Sequence, residues 1–144
     1  MPASRYDIEV EQGSTWKLFM TYKYKGGTGI DLSNFGGAMQ VRRSQKDDDV
    51  ILFLTQNGVT GGGITGEFTV GVNGVAGIGG ISFNTSISGA LGNTGGILFK
   101  VDHNTMKNVP AGRHFYDFEL INSLGEVTRF LEGSFTCTRE ITRT

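Results

Sequence analysis

Apolar side chains recur at every second position in several short runs, the pattern of strands with one buried face. Tyr6, Ile8 and Val10 alternate with Asp7, Glu9 and Glu11, and Gln12-Gly13-Ser14 ends the run. Trp16, Leu18, Met20, Tyr22 and Tyr24 alternate with Lys17, Phe19, Thr21 and Lys23. That predicts a long strand, closed by a turn at Gly26-Gly27-Thr28-Gly29. Ile30 and Leu32 share one side of an extended segment. Ser33-Asn34 favours a bend there, because both side chains hydrogen-bond nearby backbone. Met39 and Val41 then point in and Gln40 and Arg42 out, followed by a polar hairpin tip over 44–49. Val50 to Leu54 is a continuous apolar run, as in a strand covered on both faces.

The alternation resumes with Ile97, Phe99 and Val101. Residues 102–107 read as one helical turn with Asp102 as N-cap, and Val109-Pro110-Ala111-Gly112 as a turn. Tyr116, Phe118 and Leu120 alternate with Phe115, Asp117 and Glu119, and Asn122-Ser123-Leu124-Gly125 is a hairpin loop. In the last strand, Val127, Leu131, Phe135 and Cys137 are expected on one side, with Arg129 and Gly133 between them. Thr128, Phe130, Glu132 and Ser134 are expected on the other. Pairing across this hairpin brings Asp117 or Glu119 near Arg129. About eight short strands separated by turn signals predict one all-β domain over 1–144, an immunoglobulin-like β-sandwich.

Residues 57–96 break the rhythm. They hold 14 of the 23 glycines and one charged residue, Glu67, so the segment reads as a Gly-rich insertion. Phe68, Val70 and Val72 alternate, as do Ile81 and Phe83, which predicts an inserted β-hairpin with Asn73-Gly74 as its turn. Two readings stand side by side: a surface insertion without fixed structure, and a segment that orders against a neighbouring subunit. On the second, Phe68, Val70, Val72, Ile78, Ile81 and Phe83 form the interface.

Charge changes the picture little. Thirteen Lys+Arg against 14 Asp+Glu give a net charge of -1, and no basic run marks a nucleic-acid binder. Cys137 is the single cysteine, which excludes an intrachain disulfide and, set among apolar alternates, reads as a small buried hydrophobe. Met1 to Arg5 is not a secretory signal, and no apolar run approaches the ~20 residues that span a bilayer. The expectation is a soluble chain made in a cytosol, with no membrane partner. His103 and His114 lack acidic or thiol partners at a recognisable spacing and read as surface or edge histidines. Asp47-Asp48-Asp49 has the composition of a divalent-cation site, but beside Lys46 it reads better as a solvated turn. Glycine clusters such as Gly61-Gly62-Gly63 lack the flanking strand, helix and Lys-Ser/Thr pair of a phosphate loop. No enzymatic site, cofactor or metal is expected.

Several blocks, in order, resemble the immunoglobulin-like N-terminal domains and small stand-alone subunits of tailed-bacteriophage tails and baseplates. They are Asp7-Ile8 with Glu11 to Trp16, Ile30 to Phe35, Met39 to Arg42, Pro110 to Arg113 with Tyr116 to Leu120, and Gly125 to Gly133. The resemblance implies a structural virion protein, a tail or baseplate subunit or a fibre adaptor. It would be made in the host cytoplasm and assembled with other virion structural proteins, with self-association open. The insertion departs from the pattern, so a capsid decoration or head-fibre protein is the alternative. A carbohydrate-binding module is a further one. It would need an exposed aromatic platform, whereas Trp16 alternates with Leu18 and Met20 as a core residue does.

Overall fold

The computed structural model describes residues 4–44, 50–55, 70–72, 75–84 and 94–141. The acidic tip Asp47-Asp48-Asp49, Phe68 and the turn Asn73-Gly74 lie outside them. The described strands are β1 (Ser4–Arg5), β2 (Ile8–Glu11), β3 (Trp16–Thr21), β4 (Gly36–Arg42), β5 (Val50–Thr55) and β6 (Val70–Val72). β7 (Val75–Ala76), β8 (Gly79–Phe83) and β9 (Gly96–Val101) follow. A short helix, α1 (His103–Met106), precedes β10 (Gly112–Ile121) and β11 (Val127–Thr138).

The strands form two sheets. The larger has the order β1-β11-β10-β4-β5-β6-β7, with β2 also on β11, and the smaller is β3-β9-β8. Inward residues of both build one core. The Phe99 and Phe118 rings meet edge to face at 4.8 Å between sheets, and Trp16 meets Phe135 likewise at 5.5 Å. The all-β expectation holds, and Asp102 caps α1 as expected by accepting the Asn104 N–H.

The Gly-rich segment is placed differently from the inserted hairpin expected. β6 and β7 do pair as a hairpin, Gly71 with Ala76 and Val72 with Val75. But β6 also extends the large sheet from β5, while β8 extends the small sheet from β9. The described part of the segment is thus the crossing between sheets. The reason is burial: Val72, Ile81 and Phe83 belong to the core.

A β-bulge corrects the last strand. Phe118 pairs with Leu131 but Glu119 pairs with Arg129, so Phe130 is the extra residue. Leu131, Phe135 and Cys137 face the core as expected. The bulge shifts alternation by one before it, so Val127 is 52% exposed and the Phe130 ring packs on Tyr22 and Phe118.

The strand predicted over 16–24 ends at Thr21, with a single bridge from Lys23 to Gly29 and Tyr24 in solvent. Asn84, at φ +55°, ties this region together. Its Oδ1 accepts the N–H groups of Leu32 and Gly95, and its Nδ2 donates to Asp31 Oδ1 and Ser33 Oγ. Ser33 donates its N–H and hydroxyl to Asp31, which holds that carboxyl below the ordinary aspartate range.

Candidate functional site

The outer face of β4, β10 and β11 carries a groove of about 640 Å3. Strand alternation builds it: Met39, Val41, Tyr116 and Phe118 turn inward, so Gln40, Arg42, Phe115, Asp117 and Glu119 turn outward. The register sets Asp117 opposite Glu132 and Glu119 opposite Arg129. Two carboxylates directly opposed repel each other. Arg129 resolves this by reaching Asp117 with Nε at 3.3 Å and Glu132 with Nη1 at 3.7 Å. The cross-strand expectation that Asp117 or Glu119 lies near Arg129 therefore holds. The bulge at Phe130 keeps Arg129 and Glu132, three apart in sequence, on the same face.

Burial pushes the Asp117 carboxyl above the usual aspartate range, and Arg129 and Arg42 pull it back only in part. Burial also raises Glu119, and the Asp117 charge adds to it. Arg42 donates to Gln40 Oε1 at 2.7 Å along one wall. Phe115 is partly buried on the floor, with the Arg113 guanidinium 5.6 Å from its ring centroid. The groove thus joins an aromatic surface to partly desolvated charges of both signs.

The N-terminal strands close one side of the groove. β1 and β2 both run parallel to β11, on Leu131–Glu132 and on Phe135–Thr138, with a kink at Tyr6-Asp7 between them. Asp7 Oδ1 accepts the Ser134 N–H at 3.0 Å, which holds this carboxyl below its usual range. Arg5 pairs with Asp7 at 3.3 Å and reaches the groove's rim.

The interface residues expected from the sequence are not together on this face. Val72, Ile81 and Phe83 are core side chains, while Ile78 is 69% exposed beside β8. Val70 lies on β6, and Phe68 is outside the described residues. Val72, Ile81 and Phe83 are engaged by the chain's own core, so among the expected residues whose burial is described Ile78 is the exposed one. The groove residues were visible as a charged hairpin, but their convergence with β4 needed the sheet order.

His114 departs from the surface position expected. It is 4% exposed on β10, with Nε2 2.8 Å from the Pro110 carbonyl and Nδ1 buried without a hydrogen-bond partner. The carbonyl accepts only, so Nε2 carries the proton. His103 starts α1 in solvent beside Asp102. Cys137 is buried, which raises its thiol above the ordinary range. Trp16 is 8% exposed, stacked on Phe99. No group of metal-ligating residues occurs among the described residues, and no described helix is long and apolar enough to cross a membrane. No protein-family model matches the chain, and no curated protein matches it.

Proposed function

We propose that this chain is a structural subunit of a tailed-phage particle, a tail or baseplate subunit or fibre adaptor, that works through protein contacts. One observation carries the reading. Three of the blocks that carry the phage-protein resemblance, Met39 to Arg42, Tyr116 to Leu120 and Gly125 to Gly133, fall on β4, β10 and β11, or on the turn leading into β11. These strands are neighbours in one sheet, and their outward residues line the groove. Segments spread over about ninety residues of sequence therefore converge on one exposed face, as recognition surfaces on a rigid scaffold do.

The fold is read as immunoglobulin-like. Taking β3, β4, β5 and β6 as strands B, C, C′ and C″, and β8 to β11 as D, E, F and G, gives GFCC′C″ against BED. That order supports a variable-type arrangement, with the N-terminal strands β1 and β2 on the larger sheet and none beside β3 among the described residues. The His114 bond to the Pro110 carbonyl, four residues upstream at the start of β10, resembles the bond of a tyrosine corner. In place of an inter-sheet disulfide, Phe99 and Phe118 join the sheets.

Quantitative mass spectrometry of purified virions, with heads and tails separated, tests the function. The chain is expected in the tail fraction at a copy number fixed relative to the other tail proteins. Enrichment with heads would replace this reading by the capsid decoration one. Absence from virions would overturn both.

A further inference from the structure

β3 is an edge strand of the three-stranded sheet, paired to β9 on one side. Hydrogen bonding shows which residues face which way. Tyr22 donates its N–H to Gly95, and Tyr22 continues the register that pairs Met20 with Ile97, Leu18 with Phe99 and Trp16 with Val101. In an antiparallel ladder the bonds alternate. The even-numbered residues therefore bond to β9, and Lys17, Phe19 and Thr21 direct their N–H and C=O groups away from it. Among the described residues no strand pairs with that side.

We infer that β3 is a self-association edge, where β3 of a second copy pairs antiparallel about a two-fold axis at Phe19 and joins two small sheets into one of six strands. Three features select this partner and register. First, Phe19 exchanges both bonds with its symmetry mate, and Lys17 exchanges both with Thr21 of the other copy. All six outward backbone groups of each copy are then satisfied. Second, Leu18 and Met20 are only partly buried against the core, and Phe19 is partly exposed beside Leu98. The register sets Leu18 against Met20 of the second copy, and Phe19 against Phe19, so each incomplete apolar contact is completed by an apolar side chain. Third, Lys17, whose charge guards the edge against indiscriminate pairing, meets Thr21 and not another Lys17. A register centred on Lys17 would oppose two ammonium groups, so the charge fixes the alignment. The inference stands apart from the virion reading and from the groove, which lies on the other sheet.

Sedimentation of the full chain over a concentration series, with cross-linking through introduced cysteines, tests it. Reversible dimers are expected. Phe19→Cys is expected to form a disulfide dimer under mild oxidation, since directly opposed Cα atoms lie about 5.5 Å apart in a hydrogen-bonded pair. Lys17→Cys is expected not to, its two copies being offset by about 13 Å along the strand. Phe19→Pro removes an outward N–H without touching the β9 ladder and is expected to weaken the dimer about tenfold or more while the domain stays folded. A chain that stays monomeric at every concentration would overturn the inference. So would cross-linking of Phe19→Cys no faster than that of Lys17→Cys. That comparison decides even if the proline variant fails to fold.

Discussion

The Tyr116 hydroxyl donates to the Tyr6 carbonyl at 2.5 Å, joining residues 110 positions apart. Tyr6 sits at the kink where the N-terminal strand leaves and rejoins β11, so its carbonyl has no ladder partner there. Burial, reinforced by the nearby Tyr6 and Asp7 groups, raises the phenol well above the ordinary tyrosine range, which keeps it a donor. Tyr116→Phe leaves that carbonyl unsatisfied and is expected to lower stability by about 1–2 kcal/mol in chemical denaturation.

Gly133 makes the kink sterically feasible. A Cβ there would lie 2.4 Å from the Tyr6 carbonyl oxygen and 2.9 Å from Asp7 Oδ1. Gly133→Ala is expected to push β1 and β2 off β11 and destabilise the domain by about 1–3 kcal/mol. Hydrogen exchange would report the loss as faster exchange at residues 6–11, with the β4–β5 ladder unchanged.

Asn84 combines a left-handed backbone with four side-chain hydrogen bonds. Asn84→Ala loses the bonds and strains the backbone, at an expected cost of about 2–4 kcal/mol. Asn84→Gly loses only the bonds and is expected to cost less. Thermal melts of the two variants separate the contributions.

Glu119 is raised by burial and by the Asp117 charge. A carboxyl raised in the folded state binds a proton more readily there than in the unfolded chain. Its contribution to stability therefore falls as pH rises through the carboxylate range. Glu119→Gln is expected to raise the melting temperature at neutral pH, with the gain vanishing on acidification. A melting temperature lowered at neutral pH would mean the Arg129 attraction outweighs burial.

The sequence read best where one physical rule acted alone. Ile8 and Val10, Met39 and Val41, and Tyr116, Phe118 and Leu120 alternate cleanly and face the core. Asp102 caps its helix because a short acceptor before a helical turn does little else. Reading failed where a distant contact decided. Phe130 looks outward by simple alternation, and only a bulge turns its ring onto Tyr22 and Phe118. His114 looks like a polar edge residue until the Pro110 carbonyl satisfies one nitrogen. Ile81 and Phe83 look like partner contacts because glycines surround them, yet they pair with β9 and fill the chain's own core. In the groove, Asp117, Glu119 and Arg129 were legible as a cross-strand group. The Gln40 and Arg42 wall was not, because pairing of β10 with β4 spans more than seventy residues of sequence.

On the proposed function, the outer face of β4, β10 and β11 is the surface that docks another virion protein. A photo-cross-linking amino acid placed at Gln40, in assembled particles, probes it directly. A covalent link to a different virion protein is expected, lost when Arg129→Glu is added, with a probe at Lys100 on the opposite sheet giving no such product. Cross-linking at Lys100 but not at Gln40 would contradict that reading.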